Sequence, residues 1–248
     1  MIDLHSHVLP AIDDGPRSLE GSLDILRAAA ADGIERIAAT PHVRDDWPTT
    51  PAQMEQALEQ VRAAARRHEI PVDVLPGGEL DLVYAAALDD DDVRRFGLGG
   101  NEQLLLLEFP YVGWPIGLRD QLFHFTVRGY TVVLAHPERN AEVHADPERL
   151  RELVDAGVFI QLTAASVEGR LGRRNAAAAR ALLDAELAHL IASDGHAPAI
   201  RAIGMSAAAE AVGNAELATW LTHDVPAALL AGEKPPSRPA RRRRRFFR

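Results

Sequence analysis

The sequence predicts an α/β fold in which about seven βα units surround a largely parallel sheet. Short apolar segments rich in valine, isoleucine and leucine alternate with longer segments of helical period, as repeated βα units require. The short segments are almost entirely apolar, which is typical of parallel strands buried on both faces. The length of 248 residues suits a single-domain α/β barrel, and we place the domain at residues 1–232.

In chain order, the apolar segments predict strands at residues 2–7, 36–40, 72–76, 104–109, 131–135, 158–162 and 189–193. Helices are predicted near residues 18–32, 51–68, 147–156, 175–187 and 199–212. Thr50-Pro51 and Asp146-Pro147 each put a capping side chain before a proline that suits the first helical position. Gly33 and Gly157 lie where helices are expected to end.

Composition and charge exclude several classes of protein. The chain has no cysteine, which rules out disulfides, thiolate metal sites and cysteine nucleophiles. The formal charge is −9, and because the last eight residues contribute +6, the first 240 residues carry −15. Such an acidic body argues against a general nucleic-acid surface. The sequence has neither a signal-peptide pattern nor an apolar run of roughly 18 residues, so we expect a soluble cytoplasmic protein.

The composition changes after residue 232. Residues 233–239 are rich in proline, and five consecutive arginines and Phe246-Phe247-Arg248 follow Ala240. We predict a solvated, disordered tail over residues 233–248, because blocks of like charge seldom pack. The alternative is contact with an anionic surface, since basic residues beside aromatic ones favour anionic lipid or polynucleotide.

The first strand ends in two histidines, His5 and His7, whose side chains face the same way because they lie two residues apart. Alone, this pair is equally well explained as the polar end of a half-buried strand. Barrel active sites, however, are assembled from the carboxyl ends of strands and the loops that follow. Nearly every other predicted strand ends in a polar or metal-competent group: His42, Glu79, Glu108, His136 with Arg139, and Asp194 with His196. The sixth strand ends in Gln161 and Thr163 and offers no obvious ligand.

Taken singly, each of these residues has a plain explanation, such as a helix cap or a surface acid. Separate explanations for all of these residues would require each to lie at the same rim by coincidence. We therefore reject independent explanations for the whole set. The first βα loop adds Asp13-Asp14-Gly15, where Gly15 permits the turn. One of the two carboxylates is expected to reach the same pocket, and composition does not distinguish them. The other five histidines are interpreted as structural: His68, His124, His144, His189 and His223.

Imidazole and carboxylate ligands without sulfur suit zinc, manganese or iron, and their number exceeds what one ion needs. Two or three divalent cations suit phosphoryl transfer by a metal-activated hydroxide, because they acidify water and neutralise charge on phosphate. Arg139 is predicted to bind the phosphate, with Arg201 as a second candidate, although both are also explained as ordinary surface arginines. Asp194 or His196 is the expected proton donor. The sequence therefore predicts a phosphoric monoester hydrolase.

These motifs resemble the PHP (polymerase and histidinol phosphatase) superfamily over about residues 2–231. The resemblance is carried by Asp3-Leu4-His5-Ser6-His7, Thr40-Pro41-His42, Glu79, His136 and Asp194-Gly195-His196. It implies a distorted, TIM-like (β/α)7 barrel that holds three metals. Within the superfamily, the loop at residues 12–16, the stretch at 135–139 and Glu108 resemble bacterial manganese-dependent protein-tyrosine phosphatases of capsule and exopolysaccharide synthesis.

The resemblance also implies a role for each matching residue. The first metal is held by His5, His7, Glu79 and Asp194, the second by Glu79, Glu108 and His136, and the third by Asp14, His42 and His196. Asp3 orients an imidazole, and Arg139 and Arg201 lie near the phosphate. The implied metal is manganese, and the implied substrate is a phosphotyrosine protein, an autophosphorylating kinase of the polysaccharide machinery. The short loop before Arg201 and the Arg-rich tail depart from the family pattern.

Phosphotyrosine hydrolysis is the favoured function, as the resemblance implies, and a phenol with a pKa near 10 leaves more easily than an alkyl alcohol, so little acid help is needed. Three alternatives differ in substrate or class. A histidinol-phosphate phosphatase requires a pocket for an imidazole and an amine. A nuclease acting on DNA ends is disfavoured by the acidic body. A metal-binding module without catalysis is disfavoured by the full set of ligands and Arg139.

Overall fold

The computed structural model describes residues 1–196 and 202–240. The strands are β1 (Ile2–Ser6), β2 (Arg36–Ala39), β3 (His42–Arg44), β4 (Trp47–Pro48), β5 (Asp73–Leu75), β6 (Glu79–Asp81), β7 (Leu104–Glu108), β8 (Thr131–Leu134), β9 (Phe159–Thr163) and β10 (Leu190–Ala192). The α-helices are α1 (Leu19–Ala31), α2 (Pro51–Arg67), α3 (Leu82–Ala87), α4 (Asp90–Arg95), α5 (Leu118–Val127), α6 (Ala141–Ala145), α7 (Arg151–Asp155), α8 (Ala164–Val167), α9 (Arg173–Asp184), α10 (Met205–Val212), α11 (Ala215–Thr219) and α12 (Val225–Leu230). A π-helical turn over Trp220–Asp224 separates α11 from α12.

The strands form two sheets. The smaller has the order β1-β2-β5, and the larger has the order β10-β9-β8-β7-β6-β3-β4. Every pairing is parallel except that of β3 with β4. An isolated parallel bridge joins Ser6 at the end of β1 to Gly195, just beyond β10. The predicted α/β fold with a largely parallel sheet is confirmed.

Helix ends follow the local sequence signals. Thr50 Oγ1 accepts from Gln53 N while Gln53 Oε1 accepts from Thr50 N, so a capping box with Pro51 opens α2. Asp146 caps a 3-10 helix at Pro147–Leu150 that leads into α7. Gly33 has a left-handed φ of 83° and Gly157 one of 93°, as expected of residues that follow helix ends.

Several elements differ from the predicted set. β3 and β6 are strands of three residues that begin at predicted ligands, and α3 to α6 were not expected. Of the predicted helix at 199–212, the structure has α10, and residues 197–201 lie outside the described part of the chain. Among the described residues, no helix is both long and apolar enough to cross a bilayer.

The first half of the predicted tail packs against the body rather than being solvated throughout. Trp220 Nε1 donates to Pro236 O at 2.8 Å. The Arg238 guanidinium donates to Ala188 O and Leu183 O and lies 5.2 Å from the Trp220 ring centroid. Pro236 and Arg238, which lie in neither helix nor strand, are therefore held to the body by hydrogen bonds with the Trp220 indole and with two backbone carbonyls. The domain boundary at residue 232 stays a prediction, and residues 241–248 lie outside the described chain.

Candidate metal centre

All nine residues predicted as ligands meet at the carboxyl ends of the parallel strands. They form four overlapping groups whose ligand atoms lie within 4.8 Å of one another: His5, His7 and Asp194; His5, Glu79 and His136; His42, Glu79 and Glu108; and His7, Asp14, His42 and His196. Eight of the nine are buried, and Asp14 has a side chain that is 39% exposed. These groups overlap the three ligand sets that the family resemblance implies but differ in detail. His136 groups with His5 rather than with Glu108, and Glu108 groups with His42 rather than with His136.

Glu79 lies at the middle of the cluster. Its Oε2 is 3.3 Å from His5 Nε2, 3.2 Å from His7 Nε2 and 2.9 Å from His42 Nδ1. Its other oxygen is 2.7 Å from His136 Nε2. Glu79 Oε2 and His42 Nδ1 are buried and make no hydrogen bond within the described chain. Buried imidazole nitrogens that converge on carboxylate oxygens in this way fit a set of divalent cations.

The structure separates the two adjacent aspartates of the first loop. Asp13 Oδ2 is 2.7 Å from His7 Nδ1 and accepts from His42 N at 3.0 Å, so Asp13 orients the His7 ring from behind. Asp14 Oδ1 instead lies 3.0 Å from His196 Nε2 and 3.5 Å from His42 Nε2, inside the cluster. This turn requires glycine at position 15, because a Cβ there would lie 2.4 Å from His7 O. Sequence reasoning missed the role of Asp13.

Gln161, which was not expected to take part, supports two of the histidines. Its Oε1 lies 3.0 Å from His5 Nδ1 and accepts from His136 N at 3.3 Å. With Nδ1 occupied by this amide, His5 presents Nε2 to the cluster. The only signal in the sequence was the position of Gln161 near the end of a predicted strand.

Asp3 differs from its implied role. Its Oδ1 accepts from the backbone N–H of His5 at 3.2 Å and of Ser193 at 3.0 Å, so the carboxylate fixes two backbone segments rather than an imidazole. Burial raises the pKa of Asp3 to about 6, and the hydrogen bonds from Ser193 oppose this rise. Asp3 therefore joins β1 to the end of β10 from beneath the cluster.

Two of the predicted ligands have a left-handed backbone. The φ angle is 33° at His136 and 50° at Asp194. Non-glycine residues rarely adopt this conformation, which costs on the order of 1–3 kcal/mol where the surroundings impose it. Strain of this kind is typical of functional sites, and here it directs both side chains into the cluster.

The charges of the cluster depend on one another. Burial alone would lower the pKa of the histidines, but Glu79 and Asp194 raise that of His5 and Glu79 raises that of His42 to about 9. Burial would raise the pKa of Glu79 and of Asp194, yet the surrounding imidazoles hold both well below their ordinary values. The carboxylates are therefore ionised at neutral pH, as metal ligands must be.

Arg139 lies at the edge of the cluster, on a 3-10 helix at Pro137–Arg139. Its Nη1 donates to Asp194 Oδ2 at 2.6 Å, and its side chain is 15% exposed. A second arginine, Arg44, donates to Glu108 Oε1 at 3.2 Å and was not predicted from the sequence. The other predicted phosphate ligand, Arg201, lies outside the described residues.

The fold and this cluster define a class of α/β protein with several groups of potential metal ligands at the carboxyl ends of its parallel strands. The chain belongs to the family described as capsular polysaccharide synthesis, CpsB/CapC, which it matches over residues 1–226.

Named relatives and a solved structure agree with this assignment. The tyrosine-protein phosphatase YwqE of Bacillus subtilis (strain 168) is 36% identical over 197 residues, which are 79% of this chain and 77% of YwqE. The tyrosine-protein phosphatase CpsB of Streptococcus pneumoniae is 29% identical over 203 residues, 79% of this chain and 83% of CpsB. A structure from a crystallographic study of YwqE and CpsB as unique metal-dependent tyrosine phosphatases has a TM-score of 0.85 and 32% identity, and covers 98% of this chain and 100% of that one. The predicted resemblance to capsule-synthesis tyrosine phosphatases is confirmed.

Proposed function

We propose that this protein is a metal-dependent protein-tyrosine phosphatase of the cytoplasm. Its proposed substrate is a phosphotyrosine protein, a bacterial tyrosine kinase of capsule or exopolysaccharide synthesis, and its proposed metal is manganese. The observation that carries the proposal is that Arg139 lies beside four overlapping groups of potential metal ligands and donates to Asp194 of the same cluster. The family and the names of its relatives support the same substrate class.

The nine clustered residues fit divalent cations because they offer only nitrogen and oxygen donors, and these donors converge in overlapping sets. We assign the cations to His5, His7, Asp14, His42, Glu79, Glu108, His136, Asp194 and His196. When bound, such cations lower the pKa of water and neutralise charge on phosphate oxygens. As part of the same proposal, the two sheets form a distorted seven-unit barrel, which the Ser6–Gly195 bridge supports.

The side chains around the cluster determine how the phosphate binds and how the leaving group is protonated. Arg139 binds the phosphate dianion and stabilises the charge that develops on its oxygens during in-line displacement. The pKa of Asp194 is held well below its ordinary value by neighbouring histidines, so this side chain carries no proton at neutral pH. His196 is assigned to a cation and its Nδ1 is held by Asp194 O at 2.8 Å, so neither side chain gives a proton directly and water protonates the leaving oxygen. The phenolate needs little help to leave.

One panel of assays tests the proposal. The purified full chain is treated with chelator, reconstituted with Mn²⁺, and incubated in parallel with a phosphotyrosine peptide, histidinol phosphate and single-stranded DNA. We expect Mn²⁺-dependent release of phosphate from the peptide. Turnover of either other substrate with the peptide left intact would show that the assignment is wrong.

A pair of variants tests the cluster itself. His136→Ala should abolish activity with the circular-dichroism spectrum unchanged, because His136 Nε2 contacts Glu79 at 2.7 Å. His68→Ala, at an exposed helix end, should leave activity intact. Full activity in His136→Ala would rule out the proposed centre.

A further inference from the structure

The loop that follows β7 carries an aromatic side chain into the rim of the metal centre. Tyr111 lies three residues beyond Glu108, and its ring centroid is 4.5 Å from Arg139 Cζ and 5.6 Å from the His136 ring centroid. The ring thus contacts the arginine that we assign to the phosphate and one of the assigned ligands. At 38% exposure, it also forms part of the protein surface.

Hydrogen bonds hold the backbone of this loop in place. Asn140, a buried residue directly after Arg139, donates from Nδ2 to Pro110 O at 2.7 Å and to Gly113 O at 2.9 Å. The backbone N–H of Ala141 donates to Tyr111 O at 2.9 Å. These hydrogen bonds join the loop at residues 110–113 to the turn that carries Arg139, and they hold Tyr111 beside the guanidinium.

The same loop exposes large apolar side chains. Val112 is 80% exposed and Ile116 is 97% exposed, although nearby Phe109 and Trp114 pack edge to face at 5.8 Å on the core side. Apolar side chains on a backbone that is fixed by hydrogen bonds form a preorganised surface, which binds a partner at a reduced cost in conformational entropy. Because Tyr111 belongs to this loop and its ring contacts Arg139, a partner that carries both a phosphate and an apolar group fits this surface.

We propose that Tyr111, Val112 and Ile116 form an aryl-binding wall that selects phosphotyrosine within an apolar peptide context. The phosphate binds at Arg139, the phenyl ring of the substrate packs against Tyr111, and an apolar residue beside the phosphotyrosine contacts Val112 and Ile116. The inference rests on the proposed function and extends it to substrate selection. Tyr111 is a specificity residue in this assignment, since aromatic pairs gain from offset or edge-to-face packing beyond their buried area.

The test compares two substrates that differ in the presence of a ring. We would measure kcat/KM for a phosphotyrosine peptide and for acetyl phosphate, which has a good leaving group and no ring. In Tyr111→Ala, the ratio of peptide to acetyl phosphate activity should fall about tenfold, which corresponds to about 1.4 kcal/mol. Tyr111→Phe should restore the ratio, because packing requires the ring and not the hydroxyl.

Further variants distinguish direct contact between the wall and the peptide from an indirect effect on the structure of the site. The double variant Val112→Ser/Ile116→Ser should raise KM for a peptide with apolar neighbours more than KM for free phosphotyrosine. Val127→Ser, at an apolar residue on α5 that is 68% exposed, is the control and should change neither value. If Tyr111→Ala lowers both activities equally, Tyr111 merely supports Arg139 and the inference is wrong. If the wild-type protein leaves phosphotyrosine intact, the proposed function has failed instead.

Discussion

Acidification is expected to destabilise the folded protein through His189, which lies on the side of the molecule opposite to the ligand-bearing strand ends. His189 Nδ1 accepts from Ile160 N at 3.1 Å, and its ring packs edge to face on Phe159 at 5.3 Å. Burial, together with the smaller effect of the positive charge of Arg238, lowers the pKa of His189 from 6.5 to about 4. The folded protein therefore keeps this imidazole neutral in a range where the unfolded chain protonates it.

The sign and size of the effect follow from the two pKa values. Above pH 6.5 both states are neutral and His189 has no influence on stability. As the pH falls from 6.5 towards 4, the unfolded chain takes up a proton that the folded state excludes, so the free energy of unfolding decreases. The full difference corresponds to about 3 kcal/mol, of which about 2 kcal/mol is lost by pH 5.

Urea unfolding followed by circular dichroism at pH 7, 6 and 5 measures this term, with chelator present so that metal binding does not contribute. His189→Asn keeps an acceptor near Ile160 N but does not titrate, so its stability should depend less on pH than that of the wild type. The difference between the two proteins isolates His189 from the other histidines. Arg238→Gln should give an intermediate slope. Equal pH dependence in wild type and His189→Asn would refute the reasoning.

Two further predictions concern the metal centre, and a third concerns the packing of the residue before Glu79. Asp13→Asn should weaken Mn²⁺ activation about 10- to 100-fold, measured by metal titration of activity, because the carboxylate orients His7. Arg139→Lys should lower kcat/KM for phosphotyrosine peptide about 100-fold or more, because an ammonium cannot bind phosphate through two parallel bonds. Gly78→Ala should lower the free energy of unfolding by about 1–3 kcal/mol in urea, since the new Cβ would lie 2.7 Å from Phe96 Cδ1.

Each of these has a matched control. Asp45→Asn changes an exposed aspartate and should leave Mn²⁺ activation as it is. Arg119→Lys makes the same exchange at an exposed site on α5 and should not alter kcat/KM. In a Phe96→Ala background, which removes the Cγ and Cδ1 atoms that the new Cβ would meet, Gly78→Ala should cost less stability than in the wild type. The argument for Asp13 would be contradicted by unchanged Mn²⁺ activation in Asp13→Asn, and that for Arg139 by normal turnover in Arg139→Lys. The packing argument would be contradicted if Gly78→Ala lowered the free energy of unfolding equally with and without the change at Phe96.

The sequence is most informative about the strands that are buried on both faces. β7 and β8 are runs of leucine and valine, and the structure has them at Leu104–Glu108 and Thr131–Leu134, inside the predicted ranges. β3 and β6 have no such signal, because they are three residues long and begin with His42 and Glu79. Helix α5 begins after a left-handed Gly117 that offers no capping side chain, so its start lacks the usual signal.

At the site, residue type and strand position together predict which side chains meet, but not what each contacts. Asp13 and Asp14 are chemically identical neighbours, and only the turn at Gly15 directs one behind His7 and the other into the cluster. Gln161 is uncharged and is not a usual metal ligand, so its support of His5 has no signature in composition. Asp3 accepts from the backbone amide of Ser193, which is 190 residues away along the chain, a contact that depends on the whole fold.

The position of Glu79 among four imidazoles has a consequence for cation binding at this centre. Burial opposes protonation of these rings, yet the pKa values of His5, His7 and His42 are all raised by the carboxylates around them, so protons balance the buried negative charge. A cation that binds here must displace those protons, because only the deprotonated ring is a ligand. Cation binding is therefore expected to release protons and to weaken as the pH falls below neutral.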